Sequence, residues 1–282
     1  MGLAATAGLG AVAGLTIFLG LPIGRIGRAR PGFIAYITAT SVGVLIFILY
    51  DVIRNASETI VGALDTNRWT GIGYGLLLAA GLAAGTLGML LVERTRKRGA
   101  ATKGLPSGPG AMAVSPDAPE AERADAAHRA ALTPAAQLAL YISIGIGLHN
   151  FSEGLAIGES AAVGAFQLFY LLVIGFGLHN MTEGFGITGP LVGRRPSWRF
   201  LALCGLIAGG PTFLGTIVGH QFASPALEVL FLALAAGAII YVVGELQHAG
   251  RRIGSHSMSM LGLLSGFLVA YGTDLVLHVA GA

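Results

Sequence analysis

Apolar residues along this chain fall into eight long runs, each near the roughly 20 residues that a helix needs to cross a bilayer. The runs predict transmembrane helices near residues 3–24, 33–54, 71–92, 135–157, 166–189, 199–219, 226–248 and 259–280. Because almost everything outside these runs is connecting loop, the pattern predicts a single all-α transmembrane domain over residues 1–282.

The composition supports an integral membrane protein. Hydrophobic residues make up 54% of the chain and charged residues only 11%, whereas soluble domains carry about 25% charged residues. The longest connection, residues 94–134, lies between the third and fourth spans and becomes rich in Gly, Pro, Ala and Ser. That composition is typical of a flexible loop. The expected location is therefore the cell membrane, with several passes through the lipid bilayer.

The basic residues predict which side of the membrane each loop faces. Fifteen of the 17 Lys and Arg residues lie in the first, third, fifth and seventh loops, and only Arg54 and Arg68 lie on the opposite side. By the positive-inside rule, the odd loops are cytoplasmic and both termini are extracytoplasmic. The net charge of +3 therefore reflects topology, and nucleic acid is not expected as a partner.

Two copies of one polar motif lie within the fourth and fifth spans. The first reads Gly-Leu-His-Asn-Phe-Ser-Glu-Gly over residues 147–154, and the second reads Gly-Leu-His-Asn-Met-Thr-Glu-Gly over residues 177–184. In each copy His and Glu are four residues apart, which puts both side chains on one helix face about one turn apart. Burying them in lipid costs several kcal/mol unless they are paired. The repetition predicts one shared partner for His149, Glu153, His179 and Glu183.

A divalent metal ion is the partner that best fits these four groups. Two imidazoles and two carboxylates form a mixed nitrogen and oxygen set that suits Zn²⁺, Fe²⁺ and similar ions. Two carboxylates also neutralise one divalent cation, which lowers the cost of holding it in a low dielectric. Asn150 and Asn180 either offer amide oxygens to the ion or form hydrogen bonds between helices.

Weaker similarities point to secondary sites along a pathway. Asp51 in the second span and Glu245 in the seventh each follow a Gly and an apolar run by eight residues. In the predicted topology Asp51 lies near the outer end and Glu245, with His248 one turn away, near the inner end. The alternative to a pathway role is that these residues are simply charges at the membrane interface. The pairing of spans two with seven and four with five favours an inverted-repeat bundle with halves 1–4 and 5–8, which is typical of transporters.

The twin His-Asn-x-x-Glu-Gly motifs resemble those of the ZIP family (Zrt/Irt-like proteins) of divalent-metal transporters. The resemblance covers most of the chain: eight spans, both termini outside, and a long cytoplasmic loop after the third span. It implies transport of Zn²⁺, or of Fe²⁺, Mn²⁺ or Cd²⁺, into the cytoplasm, with the metal as substrate and no cofactor. The metal-binding positions of the family correspond here to His149, Asn150, Glu153, His179, Asn180 and Glu183.

The chain departs from the family pattern in three places. Ser152 and Thr182 stand where many members have Pro, so any kink must come from Gly or from hydroxyl bonding to the backbone. Gly210, just before Pro211, stands where many members carry Glu. A two-metal site would then be reduced to one ion here. The cytoplasmic loop also lacks the His cluster common in the family, which weakens the case for metal sensing by that loop.

Three other interpretations remain open at the level of sequence. The repeated residues could form only Glu–His hydrogen bonds between helices, the chain could bind metal without transport, or it could be an intramembrane zinc-dependent hydrolase. Against the hydrolase, the sequence contains no His-Glu-x-x-His, and mirrored ligands on antiparallel spans suit access from two sides. We therefore expect a transporter rather than an enzyme, with a homodimer left open.

Overall fold

The computed structural model describes residues 1–27, 29–102, 133–250 and 256–280, and within these ranges it contains helices and no strand. The first transmembrane helix is made of three consecutive segments, namely Leu3–Leu15, Ile17–Gly20 and the 3-10 turn Leu21–Arg25. Counted in this way, the described residues form eight helices: α1 (Leu3–Arg25), α2 (Pro31–Thr66), α3 (Arg68–Thr102), α4 (Pro134–Ala162), α5 (Phe166–Thr188), α6 (Trp198–Gln221), α7 (Pro225–Gly250) and α8 (His256–Ala280).

Each of the eight predicted spans is a helix, which confirms the all-α membrane architecture. Among the described residues, six of the helices are long and apolar enough to cross a membrane by length and composition alone, namely α1, α2, α3, α6, α7 and α8. The other two, α4 and α5, carry the polar His, Asn and Glu residues of the repeated motif, which lower their hydropathy. The extracytoplasmic placement of both termini stays a prediction.

Two helices extend far beyond the predicted spans, by ten residues or more. α2 continues to Thr66 instead of ending near residue 54, and α3 continues to Thr102 instead of ending near residue 92. Polar residues end an apolar run without ending a helix, because Glu, Arg and Lys are good helix formers. The predicted loop 94–134 therefore begins as helix, and its residues 103–132 lie outside the described part of the chain.

Helix contacts follow an approximate exchange symmetry. α4 packs most extensively against α6 and α5 against α1, while α2 packs against α8 and α3 against α7. Exchanging α1 with α6, α2 with α7, α3 with α8 and α4 with α5 maps these pairs onto one another. The predicted pairing of spans two with seven and four with five fits this pattern. The same exchange maps helices α1–α4 onto α5–α8, the two predicted halves, with α4 and α5 as the central pair.

The buried core lies on the central helices. Phe47 of α2, Ile142 of α4 and Ile239 of α7 are at most 1% exposed and belong to one apolar cluster. By contrast, α3 and α8 are mostly exposed. In the most apolar 18-residue window of each helix, only 17% of the residues are buried inside the protein. α3 and α8 therefore present most of their apolar surface to lipid, and the central helices are left to form the site.

Glycines let the helices around the two motifs approach closely. Gly14 of α1 faces Gly209 of α6, and a Cβ at either position would collide with the carbonyl oxygen of the other. Gly154 of α4 meets the α6 backbone beside Gly215 in the same way. Small residues at crossings are the usual means by which membrane helices pack, since lipid provides no hydrophobic drive for association. These contacts hold α1, α4 and α6 together around the polar motifs.

Candidate metal centre

The two polar motifs meet between α4 and α5. His149 and Glu153 come from α4, His179 and Glu183 come from α5, and all four side chains are at most 5% exposed. The imidazole centroids of His149 and His179 are 6.0 Å apart, with the rings nearly perpendicular at 71°. The four-residue spacing within each helix therefore brings the predicted His and Glu residues to one buried place.

Three potential ligand atoms converge there. Oε1 of Glu183 lies 4.0 Å from Nε2 of His149 and 3.8 Å from Nε2 of His179. Ligand atoms of His149, His179 and Glu183 all lie within 4.8 Å of one another. Glu153 extends the group, since its Oε1 is 3.5 Å from Nε2 of His149. Zinc bonds of about 2.0–2.2 Å to nitrogen and oxygen would require only small inward shifts of these side chains.

Most polar atoms in this cluster have no hydrogen-bond partner. They include Nε2 of both histidines, both carboxylate oxygens of Glu183 and Oε2 of Glu153. Each unpartnered buried polar group costs about 1–3 kcal/mol, so several together need a common partner. The His–Glu separations of 3.5–4.0 Å are too long for good hydrogen bonds. This geometry argues against the interpretation in which Glu–His hydrogen bonds only join the two helices.

The two Asn side chains connect four helices beside the cluster. Nδ2 of Asn150 donates to Oδ1 of Asn180 at 2.6 Å and to the carbonyl of Ala208 in α6 at 3.1 Å. Nδ2 of Asn180 donates to the carbonyl of Ala13 in α1 at 3.1 Å. Of the two predicted roles, hydrogen bonding between helices is therefore present. Oδ1 of Asn150 has no partner and is the amide oxygen left for an ion.

The positions that depart from the family pattern have distinct surroundings. The Thr182 hydroxyl donates to the carbonyl of His179 at 2.7 Å, which is the backbone bonding expected where Pro is missing. The Ser152 hydroxyl is buried and has no hydrogen-bond partner. At Gly210 an added Cβ would meet no atom within 4 Å. α6 thus has room at the position where many family members carry Glu, but it offers no acid there.

Asp51 lies near the cluster without joining it. It is 8% exposed, and one turn before it the Phe47 ring centroid lies 6.3 Å from that of His179. Its Oδ1 accepts a hydrogen bond from Arg54 at 2.8 Å, and its Oδ2 accepts one from Asn55 at 3.1 Å. Both carboxylate oxygens are therefore engaged by neighbours on α2. The sequence did carry a signal for this pair, since Asp and Arg three residues apart share a helix face.

Glu245 and His248 lie on α7, half-buried and exposed respectively, and neither belongs to the group of described residues that could share one ion. One turn before Glu245, the Tyr241 hydroxyl donates to Oε2 of Glu93 at 2.9 Å. This bond joins α7 to α3 and was missed at the sequence level, because nothing in the local pattern of either helix indicates the partner.

The comparison with protein families gives a direct match. The model described as ZIP Zinc transporter matches residues 112–274, which is more than half of the chain and includes both polar motifs. None of the curated proteins compared with the chain matches it.

Proposed function

Because the chain belongs to the ZIP zinc transporter family, we propose that it carries Zn²⁺ or a similar divalent cation across the cell membrane into the cytoplasm. Family membership places it among multi-pass membrane proteins that transport divalent metal. The observation that carries the proposal is the convergence of His149, His179 and Glu183 within 4.8 Å in a buried place. Their unpartnered atoms are the nitrogen and oxygen donors that zinc takes.

The proposed ligand set consists of His149, Glu153, His179 and Glu183. The two carboxylates balance the charge of one divalent ion, so the loaded site is close to neutral inside the bundle. Asn150 can add its free amide oxygen, whereas the Asn180 amide oxygen is already taken by Asn150. We therefore assign Asn180 chiefly a positioning role. A single ion fits this set, since Gly210 offers no further carboxylate.

Transport then requires that the two sides of the membrane reach this site in turn. In the proposed cycle the ion sheds water between α4 and α5, binds the four ligands, and leaves inward when the surrounding helices rock. The two-fold pattern of contacts around α4 and α5 suits such alternating exposure. Asp51 would lie toward the outer side, and Glu245 with His248 toward the inner side, if the termini are extracytoplasmic as proposed.

Zinc flux into proteoliposomes tests this function. We expect saturable uptake of radiolabelled Zn²⁺ by the wild-type protein and its loss in His179→Ala, because one of the converging ligands is removed. His220→Ala is a matched control, since His220 is half-buried near the end of α6 and outside the converging ligand group, and its Nε2 lies 3.3 Å from the Met1 carbonyl oxygen. Stoichiometric binding without flux would instead indicate a metal-binding scaffold, and cleavage of a lipid or peptide substrate would indicate a hydrolase.

Acidification is expected to reduce zinc uptake. Metal binding needs neutral imidazoles and ionised carboxylates, so protons compete with Zn²⁺ for His149, Glu153, His179 and Glu183. Uptake should therefore fall as the pH is lowered, because protonation removes the metal-binding form of each ligand. The measurement is initial uptake at fixed free Zn²⁺ with pH clamped on both sides of the vesicle. A flat profile would contradict ligand protonation as the release step.

A further inference from the structure

A second polar feature lies away from the metal cluster, at one end of the bundle. A cavity of about 630 Å³ opens between the segment that follows α1 and the loop that joins α5 to α6. Its lining residues are Gly27, Gly193, Arg194 and Arg195. None of them belongs to the proposed zinc site, so the cavity needs its own explanation.

The two segments are joined in a way that holds the arginines over the cavity. The Gly193 amide donates to the carbonyl of Ile26 at 2.9 Å. The Arg195 guanidinium lies directly against the Gly27 backbone, where a Cβ would have to displace it. Arg195 itself has a φ of 47°, a left-handed conformation that is uncommon for residues with a side chain. Such local strain is often retained where a side chain must point at a ligand.

Among the described residues, no acid forms an ion pair with the two arginines that line the cavity. Neither Arg194 nor Arg195 forms an ion pair with any residue in the described ranges. The stretches of chain around the two segments, residues 17–50 and 184–227, contain no Asp or Glu. Arg25 adds a third guanidinium close by, since it donates to the Pro196 carbonyl at 2.7 Å. An anion from outside the protein would complete the site.

The tryptophan beside the cavity favours a lipid over a free anion as its ligand. Arg25 lies 4.8 Å above the ring of Trp198, and Trp198 is 58% exposed at the start of α6. Trp residues at the ends of transmembrane helices concentrate at the level of the lipid head groups. Guanidinium groups bind phosphate through two parallel hydrogen bonds, and basic pockets between transmembrane helices take anionic head groups.

We propose that the cavity lined by Gly27, Gly193, Arg194 and Arg195 binds the phosphate of an anionic phospholipid head group. The lipid would be shared between the segment after α1 and the loop before α6. Because α1 packs against α5 and α6, a lipid held there would join helices that flank the zinc site. This proposal does not depend on which ion the protein carries or on whether it carries one.

Native mass spectrometry of the purified protein with added phosphatidylglycerol tests the proposal. Each arginine near a charged membrane surface contributes about fivefold in binding, so R194Q/R195Q should retain roughly 30-fold less phosphatidylglycerol than wild type. The matched control is R199Q, which removes one charge at the same end but does not line the cavity, and it should change retention by less than about fivefold. Phosphatidylcholine, whose head group has no net charge, should be retained weakly and equally by all variants.

Several outcomes would overturn the assignment. If R194Q/R195Q retained as much phosphatidylglycerol as wild type, or if R199Q lost as much as the double variant, the cavity would not be a specific lipid site. If inorganic phosphate displaced the lipid at equal concentration, the site would be one for a free anion.

Discussion

Glu183→Gln is expected to abolish tight zinc binding. Oε1 of Glu183 lies near Nε2 of both histidines, at 3.8 and 4.0 Å, and the side chain is completely buried. The substitution preserves shape but removes one of the two charges that balance the cation. Removing one partner of a buried charge pair costs about 3–5 kcal/mol, which corresponds to a loss of roughly two to four orders of magnitude in affinity.

Competition against a fluorescent zinc chelator measures this loss in purified protein. Glu159→Gln is the matched control, because this glutamate is exposed near the end of α4 and should leave zinc affinity unchanged. Glu153→Gln should fall between the two variants, since Glu153 lies near one of the two histidines, His149, at 3.5 Å, whereas Glu183 lies near both. Zinc affinity of Glu183→Gln within threefold of wild type would mean that the ion is held elsewhere, and the proposed ligand set would have to be abandoned.

Substitution of Gly209 by Ala is expected to destabilise the bundle, whereas the same substitution at Gly210 should not. A Cβ at Gly209 would collide with the carbonyl oxygen of Gly14 across the α1–α6 crossing, and one at Gly210 would meet nothing within 4 Å. Forcing extra atoms into a close-packed contact costs about 1–3 kcal/mol. Gly210→Ala should be neutral or stabilising by up to about 1 kcal/mol, since Ala is the better helix former.

Thermal unfolding in detergent, followed by intrinsic fluorescence, distinguishes these adjacent positions. Gly209→Ala should also weaken zinc binding. The residues just before the two colliding glycines are Ala13 and Ala208, and their carbonyls accept the hydrogen bonds from Asn180 and Asn150, respectively. Separation of α1 from α6 would therefore disturb the Asn pair beside the cluster. Equal melting temperatures for the two variants would show that the α1–α6 contact is looser than the structure describes.

Much of the metal cluster was predictable from local sequence. The spacing of four between His149 and Glu153, and between His179 and Glu183, places each pair on one helix face whatever the rest of the fold does. The cost of burying such groups in lipid then predicts that the pairs meet. The roles of the Asn residues were not predictable in this way. Their acceptors are main-chain carbonyls of Ala13 and Ala208. Because every residue has a backbone carbonyl, the residue types do not indicate which one will accept the bond.

The arrangement of the helices was likewise predictable only in part from the sequence. Eight apolar runs predict eight helices, because a bilayer accepts only segments that satisfy their own backbone hydrogen bonds. The runs do not indicate which helices contact each other, because residues that face lipid and residues that face another helix are both apolar. The halves predicted as spans 1–4 and 5–8 fit the observed exchange of helices, but the contacts that pair α4 with α5 at the centre came only from the structure.

What the sequence by itself determined is the membrane class, the number of helices, the ZIP resemblance and the facing His and Glu pairs. Each depends on properties of single segments: length, hydropathy and helical periodicity. Tertiary structure alone decided how glycines bring α1 and α6 together, which partners occupy the Asn amides and the Asp51 carboxylate, and where Arg194 and Arg195 border a cavity. These features depend on contacts between residues distant in the chain, or on one rotamer among several, and neighbouring residues do not specify them.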